Sequence, residues 1–276
     1  MKAISSKTVL IIGAGNMGIS FIHALIRNKF THKKILVLEP KPSKELLNLS
    51  KKKKLVLIKK QEDFQNLVPD IVLLAVKPNQ LKGLFSLNLI KLTKKSVIVS
   101  IIAGKKTSTL RKLTNQNYNI VRSMTNTPIS VGMGSSIVYF DKKTTPKAKK
   151  LSKQFFSLVG QVVEVDSETQ IDSFTAIFGS GPAYVYFFIE TLAKIALKNG
   201  FKLSDQMIIH LFLGSILLMV DKKEHPKTLR QKVTSKGGTT DAAIKSLLSS
   251  NKFYEILNKA IIKAKKRSKA LESVTT

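Results

Sequence analysis

Three glycines with the spacing G-x-G-x-x-G stand between a short apolar run and an amphipathic stretch near the start of the chain. The run Thr8 to Gly13 is apolar and β-branched, and the turn reads Gly13-Ala14-Gly15-Asn16-Met17-Gly18. Apolar residues then recur at helical spacing as far as Asn28. A strand, a glycine turn and a helix in this order predict the first unit of an α/β sheet.

Later apolar runs continue the alternation of strands and helices. The further predicted strands are Lys34 to Glu39, Ile71 to Val76, Val97 to Ile101, Asn119 to Val121, Ser136 to Phe140 and Val162 to Val165. Helical patterns separate most of these runs. They therefore predict a parallel sheet connected by right-handed crossovers.

Each glycine of the turn has its own physical reason. Gly13 permits the tight turn, Gly15 lets backbone N–H groups approach a pyrophosphate, and Gly18 lets the helix pack closely on the strand. The helix N-terminus adds partial positive charge near the phosphates. Glu39 follows about 20 residues later, where a carboxylate hydrogen-bonds the adenosine ribose. These features together predict a dinucleotide-binding Rossmann domain.

The residues around Glu39 leave the choice of cofactor open. A carboxylate at this position favours NAD over NADP, because it repels a 2′-phosphate. Lys41, Ser43 and Lys44 follow closely and can neutralise that phosphate if the Glu39 side chain turns away.

The second half of the chain reads as helical. Predicted helices cover Glu168 to Phe178, Pro182 to Lys198, Asp205 to Lys222 and Lys252 to Leu271, with Gly200 ending the second and Ser204-Asp205 capping the third. We therefore expect a Rossmann domain over residues 1–162 and an all-α domain over residues 163–276. The segment Met207 to Val220 is apolar around nearly the whole helix, which predicts a second chain as its cover.

Two loops of the first half are candidate binding segments. Val76-Lys77-Pro78 follows a strand at the carboxyl edge of the sheet, where ligands bind, and Lys77 would direct its backbone or its ammonium group at a ligand. The alternative is a solvated lysine before a helix-starting proline. Asn126 and Pro128 lie in a polar loop that either lines a substrate cleft or serves as a plain turn.

A third candidate segment precedes a predicted helix over Asp241 to Leu248. The residues Val233 to Asp241 include several hydroxyl side chains and the pair Gly237-Gly238. Successive backbone N–H groups in such a turn can bind a carboxylate at a helix N-terminus. A capping turn without a ligand is the alternative.

Composition excludes several classes of function. The net charge is +30, but five of the 47 basic residues are arginines, tryptophan is absent and tyrosines number five. Specific nucleic-acid binding relies on arginine forks and stacked aromatic rings, so we expect a lysine-rich solvated surface instead. With no cysteine and four histidines, no metal site is expected.

We expect a cytoplasmic protein without a membrane segment. The apolar run Val9 to Ile12 is too short for a signal sequence, and Met207 to Val220 is shorter than the ~20 residues that span a bilayer. No nucleophile elbow is evident, so the chemistry would come from the cofactor.

Four motifs in order resemble the pyrroline-5-carboxylate reductase family. They are Ile12 to Gly18, Ala75 to Pro78, Met124-Thr125-Asn126-Thr127-Pro128, and Gly179-Ser180-Gly181-Pro182-Ala183-Tyr184 followed by Glu224-His225-Pro226 and the Ser235 to Thr240 turn. The resemblance implies a Rossmann domain followed by an α-helical dimerisation domain. It also implies NAD(P)H-dependent reduction of 1-pyrroline-5-carboxylate to L-proline, the last step of proline biosynthesis.

The resemblance also assigns roles by position. The cofactor residues are Gly13, Ala14, Gly15, Asn16, Met17, Gly18, Glu39, Val76, Lys77 and Pro78, with Asn126 and Pro128 bordering the nicotinamide. The substrate residues are Ser235, Gly237, Gly238, Thr239, Thr240 and Asn126, and Thr240 orients the ring nitrogen as the catalytic residue. The assembly implied is a homodimer, alone or within a larger homo-oligomer.

Two departures from the family pattern and two other functions stay open. Lys236 stands where many relatives have proline, and Glu39 where relatives that favour NADPH often have a small hydroxyl residue. A β-hydroxyacid dehydrogenase-like enzyme shares the two-part organisation, but its expected lysine motif is missing around Ser180. A basic, non-enzymatic nucleotide- or polyanion-binding protein is the other alternative.

Overall fold

Eight strands form a single sheet in the computed structural model, which describes residues 2–59, 68–86, 96–114, 118–202 and 205–273. The strands are β1 (Val9–Ile12), β2 (Ile35–Leu38), β3 (Val56–Ile58), β4 (Ile71–Leu74), β5 (Val97–Ser100), β6 (Asn119–Met124), β7 (Gly134–Phe140) and β8 (Gly160–Val165). Their order is β3-β2-β1-β4-β5-β6-β7-β8.

Helices precede the sheet, connect its strands and fill the second half of the chain. They are α1 (Lys2–Ser5), α2 (Asn16–Arg27), α3 (Lys44–Lys51), α4 (Leu81–Ser86), α5 (Thr107–Thr114), α6 (Pro146–Ser157), α7 (Thr169–Phe174), α8 (Gly181–Lys198), α9 (Asp205–Lys222), α10 (Pro226–Lys232), α11 (Thr239–Leu248) and α12 (Lys252–Ser273). Among the residues that the structure describes, no helix is both long and apolar enough to cross a membrane.

The predicted parallel sheet is confirmed from β3 to β6, whereas β7 runs antiparallel to β6 and β8 is parallel to β7. The reason is the length of the connection after β6. Only residues 125–133 join β6 to β7, and a parallel crossover needs a dozen or more residues. The chain therefore reverses direction there.

Apolar side chains cover both faces of the central strands. All four residues are buried in each of β1, β2, β4 and β5, as expected for parallel strands between two helical layers. On one face, Phe21 of α2 stacks on Phe155 of α6 with ring centroids 5.5 Å apart, and Phe156 meets both rings edge-on. This aromatic cluster holds α2 against the sheet.

The chain divides into two compact units, residues 1–182 with 264–276, and residues 183–263. The boundary predicted between residues 162 and 163 falls inside β8, so the two predicted domains stay a prediction. Gly200 ends α8 as predicted, with φ +85°. The predicted cap of α9 at Ser204 lies outside the described residues, as does the side chain of Asp205.

The second unit leaves a large apolar surface uncovered within one chain. Of the apolar side chains of α9, Ile208 is buried, whereas most of the others are exposed. The exposed ones are Met207, Ile209, Leu211, Leu213, Ile216, Leu217, Leu218 and Val220. The predicted all-round apolar character of this helix thus has no cover in the described chain.

We expect Gly18→Ala to lower the free energy of unfolding by about 1–3 kcal/mol, because a β-carbon at Gly18 would overlap the carbonyl oxygen of Gly13. Gly15→Ala is the matched control, since a β-carbon there meets no atom within 4 Å. Urea unfolding of both variants measures the difference. Equal stabilities would contradict the close packing of α2 on β1.

Candidate functional site

The glycine turn lies at the carboxyl end of β1, as predicted. Gly13 has φ +91°, and a β-carbon on it would meet the Ala75 carbonyl oxygen and Val76 Cγ1 at 2.8 Å. Its N–H donates to the Leu38 carbonyl at 3.0 Å. Gly13 therefore shapes the turn between two strand ends, and Gly15 leaves the outer side of the turn open.

The Glu39 carboxylate lies against this turn. Its Oε2 accepts the N–H of Ala14 at 2.9 Å, and its Oε1 accepts the N–H of Lys41 at 3.1 Å. The side chain is thus held toward the turn. The sequence argument that Lys41, Ser43 and Lys44 take over after Glu39 turns away does not describe this conformation.

A cavity of about 450 Å³ opens at the ends of β1, β2 and β4. Its lining includes five of the predicted cofactor residues, Gly13, Gly15, Glu39, Val76 and Lys77. The first N–H groups of α2 have no acceptor within their own helix and add partial positive charge beside Gly15. The site thus combines N–H donors that can bind a phosphate with a carboxylate that can accept hydrogen bonds from hydroxyl groups.

Lys77 and Pro78 begin a short 3₁₀ helix over Pro78–Gln80. The N–H of Lys77 donates to Oε1 of Gln80 at 3.1 Å, so its backbone donor is already used inside the chain. The side chain of Lys77 is exposed and lines the cavity. Of the two groups that the sequence offered to a ligand, the ammonium group is the one that remains.

Asn126 is buried and uses both ends of its amide to hold the loop after β6. Its Oδ1 accepts the N–H of Ser135 at 2.9 Å, and its Nδ2 donates to the Phe178 carbonyl at 3.1 Å. These bonds tie the loop to β7 and to the π-helix over Thr175–Gly179. Pro128 lies half-buried in the 3₁₀ helix Thr127–Val131. Asn126 therefore has a structural role in addition to any contact with a nicotinamide.

A buried ionic cluster that the sequence analysis missed holds β6, the strand before this loop. Arg122 of β6 lies 3.7 Å from Glu168 Oε1 and 3.9 Å from Asp172 Oδ1. Glu168 Oε1 also accepts the N–H of Thr107 at 2.8 Å, and Asp172 Oδ1 accepts the Ser268 hydroxyl at 2.8 Å. The available signal was an arginine directly after the apolar residues Ile120 and Val121 of a predicted strand, because a charge buried there requires partners.

The third predicted segment forms one turn before α11, in the second unit. The N–H of Gly238 donates to the Ser235 carbonyl at 3.0 Å, and Gly237 has φ +76°. The N–H of Gly237 donates to Asp241 Oδ2 at 2.9 Å. Both glycine N–H groups are therefore used within the turn. The first-turn N–H groups of Thr239 and Thr240 have no acceptor within α11.

The charge on Asp241 is stabilised in the same place. Lys245 Nζ lies 2.7 Å from Asp241 Oδ2. The hydrogen bond from Lys245, followed by that from the Gly237 N–H, lowers the pKa of Asp241 below its usual value. Five of the predicted substrate residues thus lie together beside the ionised Asp241 carboxylate: Ser235, Gly237, Gly238, Thr239 and Thr240. The sixth, Asn126, belongs to the other unit.

Two family models match the chain in sequence. Residues 168–271 match the model described as pyrroline-5-carboxylate reductase dimerisation. Residues 8–104 match the model described as NADP oxidoreductase, coenzyme F420-dependent. The first match covers most of the helical half, and the second covers the glycine turn and the strands around the cavity.

Similar proteins cover nearly the whole chain. The chain is 33% identical to the pyrroline-5-carboxylate reductase of Synechocystis sp., with 95% of this chain and 97% of the relative aligned. It is 30% identical to pyrroline-5-carboxylate reductase 1 of Bacillus subtilis, over 96% of this chain and 89% of the relative.

Solved structures agree with the sequence matches. The pyrroline-5-carboxylate reductase of Coxiella burnetii superposes with a TM-score of 0.80 at 32% identity, covering 96% of this chain and 98% of that one. The Plasmodium falciparum pyrroline carboxylate reductase, solved with NADP bound, gives 0.82 at 29% identity, covering 97% and 99%.

Proposed function

The chain belongs to the pyrroline-5-carboxylate reductase family, and we propose that it reduces 1-pyrroline-5-carboxylate to L-proline with NAD(P)H. The observation that carries this function is the likeness to reductases over 95% of the chain, across both halves. The cavity beside the glycine turn is consistent with it, because such a reaction needs a dinucleotide cofactor.

The residues of the first unit fit the cofactor. The opening beside Gly15 and the N-terminus of α2 would receive the pyrophosphate, and Glu39 would accept a ribose hydroxyl. We assign cofactor contacts to Gly13, Ala14, Gly15, Asn16, Met17, Gly18, Val76, Lys77 and Pro78, and the border of the nicotinamide to Asn126 and Pro128. When bound, the reduced nicotinamide supplies a hydride.

The turn before α11 would hold the substrate. A cyclic imine protonated on nitrogen is already electrophilic, so the protein needs to position it more than to act as a strong acid. The N–H groups of Thr239 and Thr240 would bind the carboxylate, and the Thr240 hydroxyl would orient the ring nitrogen. Ser235, Gly237 and Gly238 would shape this turn, and Asn126 would border the substrate from the cofactor side.

The test of this activity mixes purified protein with pyrroline-5-carboxylate and with NADH or NADPH in separate assays. We expect cofactor oxidation only when the imine is present, with one proline formed per cofactor oxidised, measured by absorbance and chromatography. Oxidation without proline would contradict the reductase function. Binding of RNA that weakens with salt, with no cofactor binding, would instead favour the polyanion-binding alternative.

We propose that NADH is preferred over NADPH, because the Glu39 carboxylate is held toward the turn by two N–H groups. Glu39→Ser should raise the ratio of kcat/KM for NADPH to kcat/KM for NADH on the order of tenfold, or about 1.4 kcal/mol. Glu39→Gln is the control that keeps an acceptor oxygen but removes the charge, and it should shift the ratio in the same direction. An unchanged ratio in both variants would exclude contact with the ribose.

Thr240→Val should reduce transition-state stabilisation by ~1–3 kcal/mol, measured as a lower kcat/KM for pyrroline-5-carboxylate. The substitution keeps the shape of the side chain and removes its hydrogen bond. The Kd of NADH, measured by fluorescence, should stay within about twofold. Thr191→Val is the control, since that hydroxyl donates to the Phe187 carbonyl on α8. Parallel losses in NADH affinity and turnover would indicate that Thr240 has only a structural role in the first turn of α11.

We propose a homodimer, alone or within a larger homo-oligomer, in which a second copy covers α9 and the turn before α11 completes the partner's site. The exposed apolar side chains of α9 support an extensive hydrophobic interface. No specific nucleic acid and no membrane enters this proposal.

Light scattering should therefore give at least twice the chain mass of 30.6 kDa. Each of the variants Gly15→Asp and Thr240→Val should be inactive or less active on its own. Refolding the two together should restore part of the activity, because a mixed dimer contains one site with neither substitution. Gly15→Asp refolded with itself is the control. Full activity in a monomer would contradict both the dimer and the shared site.

A further inference from the structure

Asp241 makes none of the proposed substrate contacts, although it lies beside the residues that do. It stands in the first turn of α11, and its carboxylate turns back to accept the Gly237 N–H at 2.9 Å. The Asp241 side chain is 16% exposed, although most of the residues around it in the turn are exposed. The carboxylate is therefore held against the loop that precedes its own helix.

The loop that it contacts is a type II β-turn. The Gly238 N–H closes the turn on the Ser235 carbonyl at 3.0 Å, and Gly237 at the third position has φ +76°. Lys236 occupies the second position, where the fixed φ of proline is best suited to this turn. Lysine leaves that torsion free, and the following glycine is the residue with the most conformational freedom to lose.

We propose that Asp241 is a positioning residue that holds the Ser235–Gly238 turn in its substrate-binding conformation, by a hydrogen bond in place of a proline ring. Gly238 is the N-cap of α11, so a fixed turn also fixes the Thr239 and Thr240 N–H groups. This inference rests on the proposed function, because that function assigns the substrate to this turn.

Lys245 makes a carboxylate acceptable at this place. Its Nζ lies 2.7 Å from Asp241 Oδ2, one helical turn further along α11. An unpaired negative charge beside the turn would oppose an anionic substrate, and the ammonium group offsets it. The pair therefore supplies a hydrogen-bond acceptor for Gly237 with little net charge.

The test is a double-mutant cycle between positions 236 and 241. Asp241→Ala should raise KM for pyrroline-5-carboxylate about two- to tenfold, the range of one hydrogen bond, and leave the Kd of NADH within about twofold. Lys236→Pro alone should change KM less than about twofold. In the Asp241→Ala background, however, Lys236→Pro should return KM to within about twofold of the parent value.

Three further measurements separate positioning from a loss of folding. Asp241→Asn keeps an oxygen acceptor for the Gly237 N–H, so its KM should stay closer to the parent than that of Asp241→Ala. Hydrogen exchange at Gly237 should accelerate in Asp241→Ala and stay fast in the Lys236→Pro double variant, even as KM recovers. Circular dichroism should show an unchanged helix content in each variant.

The outcomes distinguish this inference from the function on which it rests. An unchanged KM in Asp241→Ala, or equal effects of Lys236→Pro in both backgrounds, would overturn the positioning role while the reductase activity stands. A parent protein that binds NADH but makes no proline would overturn the proposed function, and the positioning role with it.

Discussion

The rest of the first unit depends on the contact between Gly18 of α2 and the carbonyl of Gly13, which brings the helix down onto β1. A side chain at position 18 would overlap that oxygen, so no other residue allows this approach. The Phe21–Phe155–Phe156 cluster then holds the helix in place from the apolar side. As a result the N-terminus of α2 opens beside the cavity, where its unpaired N–H groups and partial charge can act on a phosphate.

Side chains that are bonded within the chain set the geometry of the cavity and of the loop after β6. Glu39 bonds to the turn through Ala14, which joins the ends of β1 and β2. Further along the sheet, Asn126 ties the loop after β6 to the π-helix over Thr175–Gly179, and the Arg122 cluster ties β6 to α7 and to the end of α12. Hydrogen bonds and ion pairs in a buried setting are costly to break one at a time, so they keep the loop in one conformation.

The second unit shows the opposite balance between burial and exposure. Its helices present large apolar side chains to the outside, whereas the polar turn before α11 is closed by its own hydrogen bonds. Large exposed apolar patches of this kind mark sites of interaction with another surface. The match to a dimerisation domain and the exposed apolar side chains thus both indicate that the helical half associates with a second copy.

The sequence by itself determined the strand–turn–helix unit, the alternation of strands and helices, and the helical second half. These features follow from local periodicity, from glycines that a backbone conformation requires, and from helix-ending signals such as Gly200. Local patterns also located the three candidate binding segments. They failed for β3, because three residues are too few to show a period, and for α10, which is a helix of seven residues.

Only the tertiary structure decided which polar groups are free to bind and which hold the fold. Arg122, Ser268 and the Glu168–Asp172 pair are far apart in sequence and meet only after the sheet has formed, so no spacing rule relates these three parts of the cluster. The Lys77 N–H is used by Gln80 and the Gly237 N–H by Asp241, three and four residues along the chain, and these local bonds are not specified by the motif residues alone. A motif specifies which donors a turn contains, whereas hydrogen bonds depend on distances of about 3 Å between atoms that folding brings together.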